Sequence, residues 1–168
     1  MSAHDYDYST QHKVNYTNLL PGLYVSRLDH YGPIMFTTLD LRFCPPNSAL
    51  EPPLPIAALH TIEHLGNIYL REHSPERNNI VYFGPTGCRT GCRAVICGSY
   101  HAEHYKDLFV AMADFIINWH GNIPDATPES CGNYRDHNLQ AAKAAMTRWR
   151  HVLTSREIGY NQFTYPTT

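Results

Sequence analysis

The stretch that most constrains this chain is His60-Thr61-Ile62-Glu63-His64, set within Ala57 to Leu70. Ile56, Leu59, Ile62, Leu65 and Tyr69 recur at the three- and four-residue steps of an amphipathic helix, and Pro55 suits its opening turn. On such a helix His60 and His64 stand one turn apart and Glu63 lies three residues from His60, so all three share a face. Two imidazoles at this spacing bind one divalent ion without distorting the backbone, and a neighbouring carboxylate can move protons for whatever the ion polarises. The pattern therefore predicts a metal site that needs a third ligand from elsewhere in the chain.

At 168 residues the chain suits one domain with a real hydrophobic core. Its net charge of -2, with 17% charged residues, gives no electrostatic case for nucleic acid or a membrane surface. Met1 to Tyr8 has neither a basic start nor an apolar stretch, and no apolar run is long enough to span a bilayer, so a soluble, cytoplasmic protein is expected. Five cysteines, an odd number, argue against a complete disulfide framework and fit reduced thiols. Of the eleven histidines, His4, His12, His30, His73, His101, His104, His120 and His151 read as solvated or locally bonded.

Residues 1–18 are polar and tyrosine-rich without a clear period and are expected to form a partly ordered arm ahead of a single domain over 19–168. Strands are predicted over 23–28, 34–43, 78–83 and 92–98, the first two joined as an antiparallel hairpin by a turn at Tyr31-Gly32-Pro33. The glycine-rich segment 84–91 is a tight turn with Cys88 at its centre. Helices are predicted from about His101 to Trp119 and from Asn138, a plausible N-cap, to Leu153. This order implies an α+β fold: a small antiparallel sheet of about four strands, with helices packed mainly on one face.

Three cysteines sit where a turn or strand end presents a side chain. Cys131, in a loop between helices, is the best soft ligand to complete a His/His/Cys site, and Cys88 is the best nucleophile or base. Cys44 ends the second strand, with burial and exposure left open, whereas Cys92 and Cys97 read as small buried apolar residues.

Four blocks together resemble the S-ribosylhomocysteine lyase (LuxS) family: Leu20 to Arg27, Asp40 to Asn47, His60 to Leu65, and Gly84 to Gly91, followed by Cys131-Gly132 and His137-Asn138-Leu139. Any one block is weak, but the joint match, running from about Leu19 to about Ala145, is specific. The resemblance implies that His60, His64 and Cys131 bind one divalent metal per subunit, ferrous iron natively with zinc or cobalt as substitutes. The fourth position is left for water or substrate. It further implies that Cys88 and Glu63 are the acid/base pair, that Arg42 lies near the substrate and near Cys88, and that the protein is a homodimer with active sites at the interface. The implied reaction moves a sugar carbonyl by two enolisations until homocysteine can leave by β-elimination, giving the precursor of autoinducer-2.

The match has departures. A Ser and a His that contact substrate in the family fall on Gln11 and Tyr16, an Asp before the catalytic cysteine falls on Tyr82, and an aromatic after the turn falls on Cys92. Tyr16 and Tyr82 are expected to bind substrate through a sugar hydroxyl. Two other readings compete. His60-x-x-Glu63-His64 is also the signature of inverted zinc metallopeptidases, which need a carboxylate ligand well downstream. The other is a metal-binding relative that is non-catalytic or has an altered substrate; a non-catalytic one would keep the metal for stability, in a site closed by four protein ligands.

Overall fold

The computed structural model describes residues 14–155 and 163–166. Strands β1 (Gly22–Tyr31) and β2 (Ile34–Arg42) form an antiparallel hairpin closed by Gly32 and Pro33, and Gly32 holds φ +58, in the left-handed region that favours glycine. β1 runs three residues past the alternating segment: Asp29, His30 and Tyr31 stay in the ladder opposite Phe36, Met35 and Ile34 although their own pattern has faded. Cross-strand pairing carries these positions where propensity does not. Strands β3 (Ile80–Pro85) and β4 (Gly91–Cys97) make a second hairpin, and β4 lies against β2, giving the antiparallel order β1-β2-β4-β3.

Helix α1 (Ile56–Ile68) begins directly after Pro55, whose carbonyl accepts from the Ala58 and Leu59 amides at 3.0 and 3.2 Å. It continues as a π-helical turn over Tyr69–His73, closed by Ser74 N donating to Tyr69 O at 2.8 Å. The helix thus runs past Leu70, the end of its predicted segment. The predicted helix over 101–119 is a 3-10 turn (Ala102–Tyr105) followed by α2 (Lys106–Ile117). Helix α3 (Leu139–Thr154) starts where its cap predicts, with Asn138 Oδ1 accepting from Ala141 N at 3.0 Å.

The core lies between the helices and one face of the sheet. Leu23, Leu39 and Leu41 meet Leu59, Ile62 and Leu65 of α1, Phe109 and Met112 of α2, and Met146, Trp149 and Leu153 of α3. Trp149 is fully buried, donates its indole N–H to Gly22 O at 3.1 Å, and sets its ring edge-on to Phe43. Helix α1 approaches β3 closely, because a Cβ at Gly66 would run into the Phe83 ring. Three β3 carbonyls accept from side chains here: Phe83 O from Asn67 Nδ2 at 3.2 Å, and Ile80 O and Val81 O from Arg71 at 3.4 and 3.0 Å. No helix among the described residues is long and apolar enough to cross a membrane.

Candidate active site

His60 and His64 project from α1 with their rings edge to face at 4.7 Å, as their spacing predicts. The loop after α2 folds back over them because the Asn138 amide donates both to Ala57 O at 3.1 Å and to Thr61 Oγ1 at 2.9 Å. That contact fastens the start of α3 to the first turns of α1 and brings Cys131 Sγ to 3.3 Å from His60 Nε2. The same fold-back delivers a residue that the spacing argument missed. The His137 ring stacks on His60 at 4.1 Å and meets His64 edge-on at 4.8 Å. Donor atoms of His60, His64, Cys131 and His137 all lie within 4.8 Å of one another.

Hydrogen bonding fixes which nitrogens face inward. His60 Nδ1 lies 2.9 Å from Asp136 O and His64 Nδ1 lies 3.0 Å from Pro124 O. A carbonyl only accepts, so each Nδ1 carries the hydrogen and each Nε2 keeps a free lone pair. Thr61 gives its hydroxyl hydrogen to Ala57 O at 2.9 Å, so His137 Nδ1, 3.3 Å from Thr61 Oγ1, is the donor of that pair. His137 Nε2 is then a buried acceptor with no partner among the described residues. Burial first, then the His60 and His64 rings, push this imidazole below its usual range and keep it neutral.

Three inward imidazole lone pairs and one thiol are a donor set that suits a borderline-soft divalent ion such as zinc or ferrous iron, and an orphaned buried acceptor among them fits a cation. The resemblance leaves a fourth position open; the structure adds His137 to the residues that could hold an ion. The inverted-peptidase reading fares worse, because among the described residues the cluster contains no carboxylate ligand. Glu63 shares a concavity with His60 and His64, lined also by Asn67, Arg71 and Asp125.

Cys88 lies elsewhere on the surface of the chain, exposed in the β3–β4 turn. The turn is held by Thr86 N to Gly91 O and Arg89 N to Thr86 O, both at 2.9 Å. Gly91 faces Arg42 across the ladder, and a Cβ there would collide with Leu41 O, so glycine is what lets the turn close on β2. Cys88 Sγ consequently stands 3.3 Å from Thr86 Oγ1, 3.0 Å from Thr90 Oγ1 and 3.4 Å from Arg42 Nη1. Burial pushes this thiol up, but hydrogen bonds from Thr86, Thr90 and Arg42 outweigh it and bring the thiol down to about 7.

Arg42 is buried and forms an ion pair with buried Asp40; its Nη1 also donates to Thr90 Oγ1. Burial works against its charge, and Asp40 more than restores it, so the guanidinium stays protonated. Tyr16, Arg42, Tyr82 and Cys88 line one concavity together with Arg93. The predicted site residues therefore fall into two groups within one chain, the metal cluster with Glu63 and the thiol with Arg42 and the two tyrosines. Gln11 lies outside the described residues. Cys44 and Cys92 are buried and their thiols are pushed up by burial, while Cys97 is partly buried.

The sequence model of a family described as S-Ribosylhomocysteinase (LuxS) matches residues 10–158. An S-ribosylhomocysteine lyase of Borrelia garinii subsp. bavariensis is 42% identical over 146 residues, covering 87% of this chain and 92% of its own. The enzyme of the same name from Finegoldia magna is 41% identical over 143 residues, 85% of this chain and 89% of its own. That of Clostridium acetobutylicum is 40% identical over 153 residues, 91% and 94% of the two chains.

Proposed function

The chain belongs to the S-ribosylhomocysteinase (LuxS) family, and we propose that it is a carbon–sulfur lyase that cleaves the thioether of S-ribosylhomocysteine to homocysteine and a dihydroxypentanedione, the autoinducer-2 precursor. The observation that carries this reading is the convergence of inward-facing His60 and His64 nitrogens with Cys131 Sγ beside Glu63. His60, His64 and Cys131 would hold the ion, ferrous iron natively with zinc or cobalt as substitutes. When bound, it supplies a Lewis acid for the sugar oxygens.

The residues of the chain do the rest. Cys88, titrating near 7, is about half ionised at neutral pH and takes the proton from the carbon beside the carbonyl in each enolisation. Glu63 carries protons between the sugar oxygens and finally protonates the product enol. After two shifts the carbonyl stands so that the carbon–sulfur bond breaks by β-elimination, with the electron pair leaving on the homocysteine sulfur. Arg42 holds the thiolate, and the exposed phenols of Tyr16 and Tyr82 bind sugar hydroxyls.

In one chain the metal cluster and Cys88 line separate concavities. We accordingly assign a homodimer with its active sites at the interface, in which Arg42 and the N-terminal arm serve the partner's site, and propose the cytoplasmic location expected from the sequence. The product enters quorum sensing or is the by-product of methyl-cycle recycling.

Thiol release from S-ribosylhomocysteine by cobalt-loaded protein tests the proposal. Turnover by the parent that vanishes in Cys88→Ala and in Glu63→Gln is expected; no turnover from a metal-loaded dimer overturns it. His137 favours a second reading, because a fourth protein donor beside the ion makes the closed site of a non-catalytic relative. That reading requires tight metal and full stability without turnover.

A further inference from the structure

Segment 163–166 packs against the start of the fold. Asn15 N donates to Pro166 O at 2.8 Å, and the Tyr165 ring lies flat on Tyr24 with centroids 4.8 Å apart and planes 10° off parallel. From that stack the Tyr165 hydroxyl donates to Asp40 Oδ2 at 2.7 Å. Asp40 Oδ2 also accepts from Arg42 Nη2, and Arg42 Nη1 reaches Cys88 Sγ at 3.4 Å. Asp40 Oδ1 has no hydrogen-bond partner among the described residues, so one oxygen carries the bonds of a fully buried carboxylate.

We propose that Tyr165 is a positioning residue for Cys88, acting through Asp40 and Arg42. The guanidinium is shared between two anions, the Asp40 carboxylate and the Cys88 thiolate. The Tyr165 hydroxyl takes part of the carboxylate's demand and leaves Arg42 free to hold the sulfur. Without that hydrogen bond Asp40 draws the guanidinium toward itself, and the thiolate loses part of its stabilisation. Ring and hydroxyl have separate tasks here: the ring docks the segment on Tyr24, and the hydroxyl tunes the network. The other groups facing Cys88 are Thr86 and Thr90 of its own turn and Tyr16, Tyr82 and Arg93 around the concavity; Arg93 also stands opposite Asp40 in the β2–β4 ladder, but the hydrogen bonds to Asp40 Oδ2 come from Arg42 and Tyr165.

The proposal deepens the role given to Cys88 above. Its test reads the thiol directly, so it stands or falls whether or not the chain turns over S-ribosylhomocysteine. The metal-loaded full chain is alkylated with iodoacetamide across pH 5.5 to 9, with modification at Cys88 followed by peptide mass spectrometry. Tyr165→Phe, which keeps the stacking ring, is expected to raise the midpoint of the Cys88 profile by about half a pH unit, which is about threefold slower alkylation at pH 6. The melting temperature should fall by only a few degrees, the cost of one hydrogen bond with the stacking ring kept. Tyr165→Ala should raise the midpoint at least as far and lower the melting temperature further. An unchanged midpoint in Tyr165→Phe overturns the proposal, including the case in which only Tyr165→Ala shifts it, since the ring alone would then account for the effect.

Discussion

Replacing Arg42 by Met tests the physical account of the thiol site most severely. Arg42 and Asp40 expose only 2% and 1% of their side chains. Arg42→Met keeps most of the aliphatic volume but strips Asp40 of its counter-ion, leaving the Tyr165 hydroxyl as its one hydrogen-bond partner among the described residues. Breaking a buried pair from one side costs about 3–5 kcal/mol, because the remaining charge is desolvated without compensation. With a urea slope of about 2 kcal/mol per M for a chain of this size, the unfolding midpoint should fall by about 1.5–2.5 M. Asp40→Asn combined with Arg42→Met removes both charges, and the double variant should recover at least about 1 kcal/mol relative to the single one. The comparison is made at one protein concentration and one metal loading, since association and bound metal both shift apparent stability. An Arg42→Met variant within about 0.5 kcal/mol of the parent, or strictly additive single changes, would refute the reasoning.

Three further outcomes follow from the same structure. At pH 7.5 iodoacetamide should modify Cys88 far faster than Cys92, because the first thiol is brought to about 7 while burial pushes the second up; as the anion is the reactive form, Cys88 labelling should rise with pH through 7 and then level off. Asn138→Ala removes the side-chain acceptor for Ala141 N and should cost about 1 kcal/mol in denaturant unfolding; a neutral result would show that the shared amide contact to α1 fixes this helix start unaided. Stripping the protein with a chelator should lower its melting temperature, and adding back zinc should restore it in the parent but not in a His60→Ala, His64→Ala double variant; identical curves with and without metal would remove the ion from the cluster.

The parts of the fold legible in the sequence are those whose signals are local. Helix α1 follows from its apolar period and Pro55, the start of α3 from Asn138, and the first hairpin from two alternating segments around Gly32-Pro33. Element ends were less legible where tertiary contacts decide them. The π-helical turn beyond Ile68 is closed by Ser74, and the end of β1 is carried by its ladder with β2. The same division holds at the site. His60, Glu63 and His64 share one turn of helix, and the glycine-rich context marks Cys88 as presented rather than buried. His137 carries no such mark, since it approaches the cluster through the docking of Asn138 on Ala57 and Thr61, far away in the chain. Asp40 and Tyr165 stand 125 positions apart, and no periodicity links them.

The contacts of Asn67 and Arg71 with β3 govern more than the seating of α1. β3 is the last strand of the sheet, and an outermost strand with free carbonyls is a template on which a foreign strand can be laid down. Here the carbonyls of Ile80, Val81 and Phe83 are already occupied by side chains from the helix that bears the histidines. One helix thus serves the metal cluster and, a turn or two further on, denies the sheet a site for runaway extension. Losing Arg71 would expose that margin without removing any of the four donor residues, so misassembly at high concentration and failure of metal binding are separable defects in this fold.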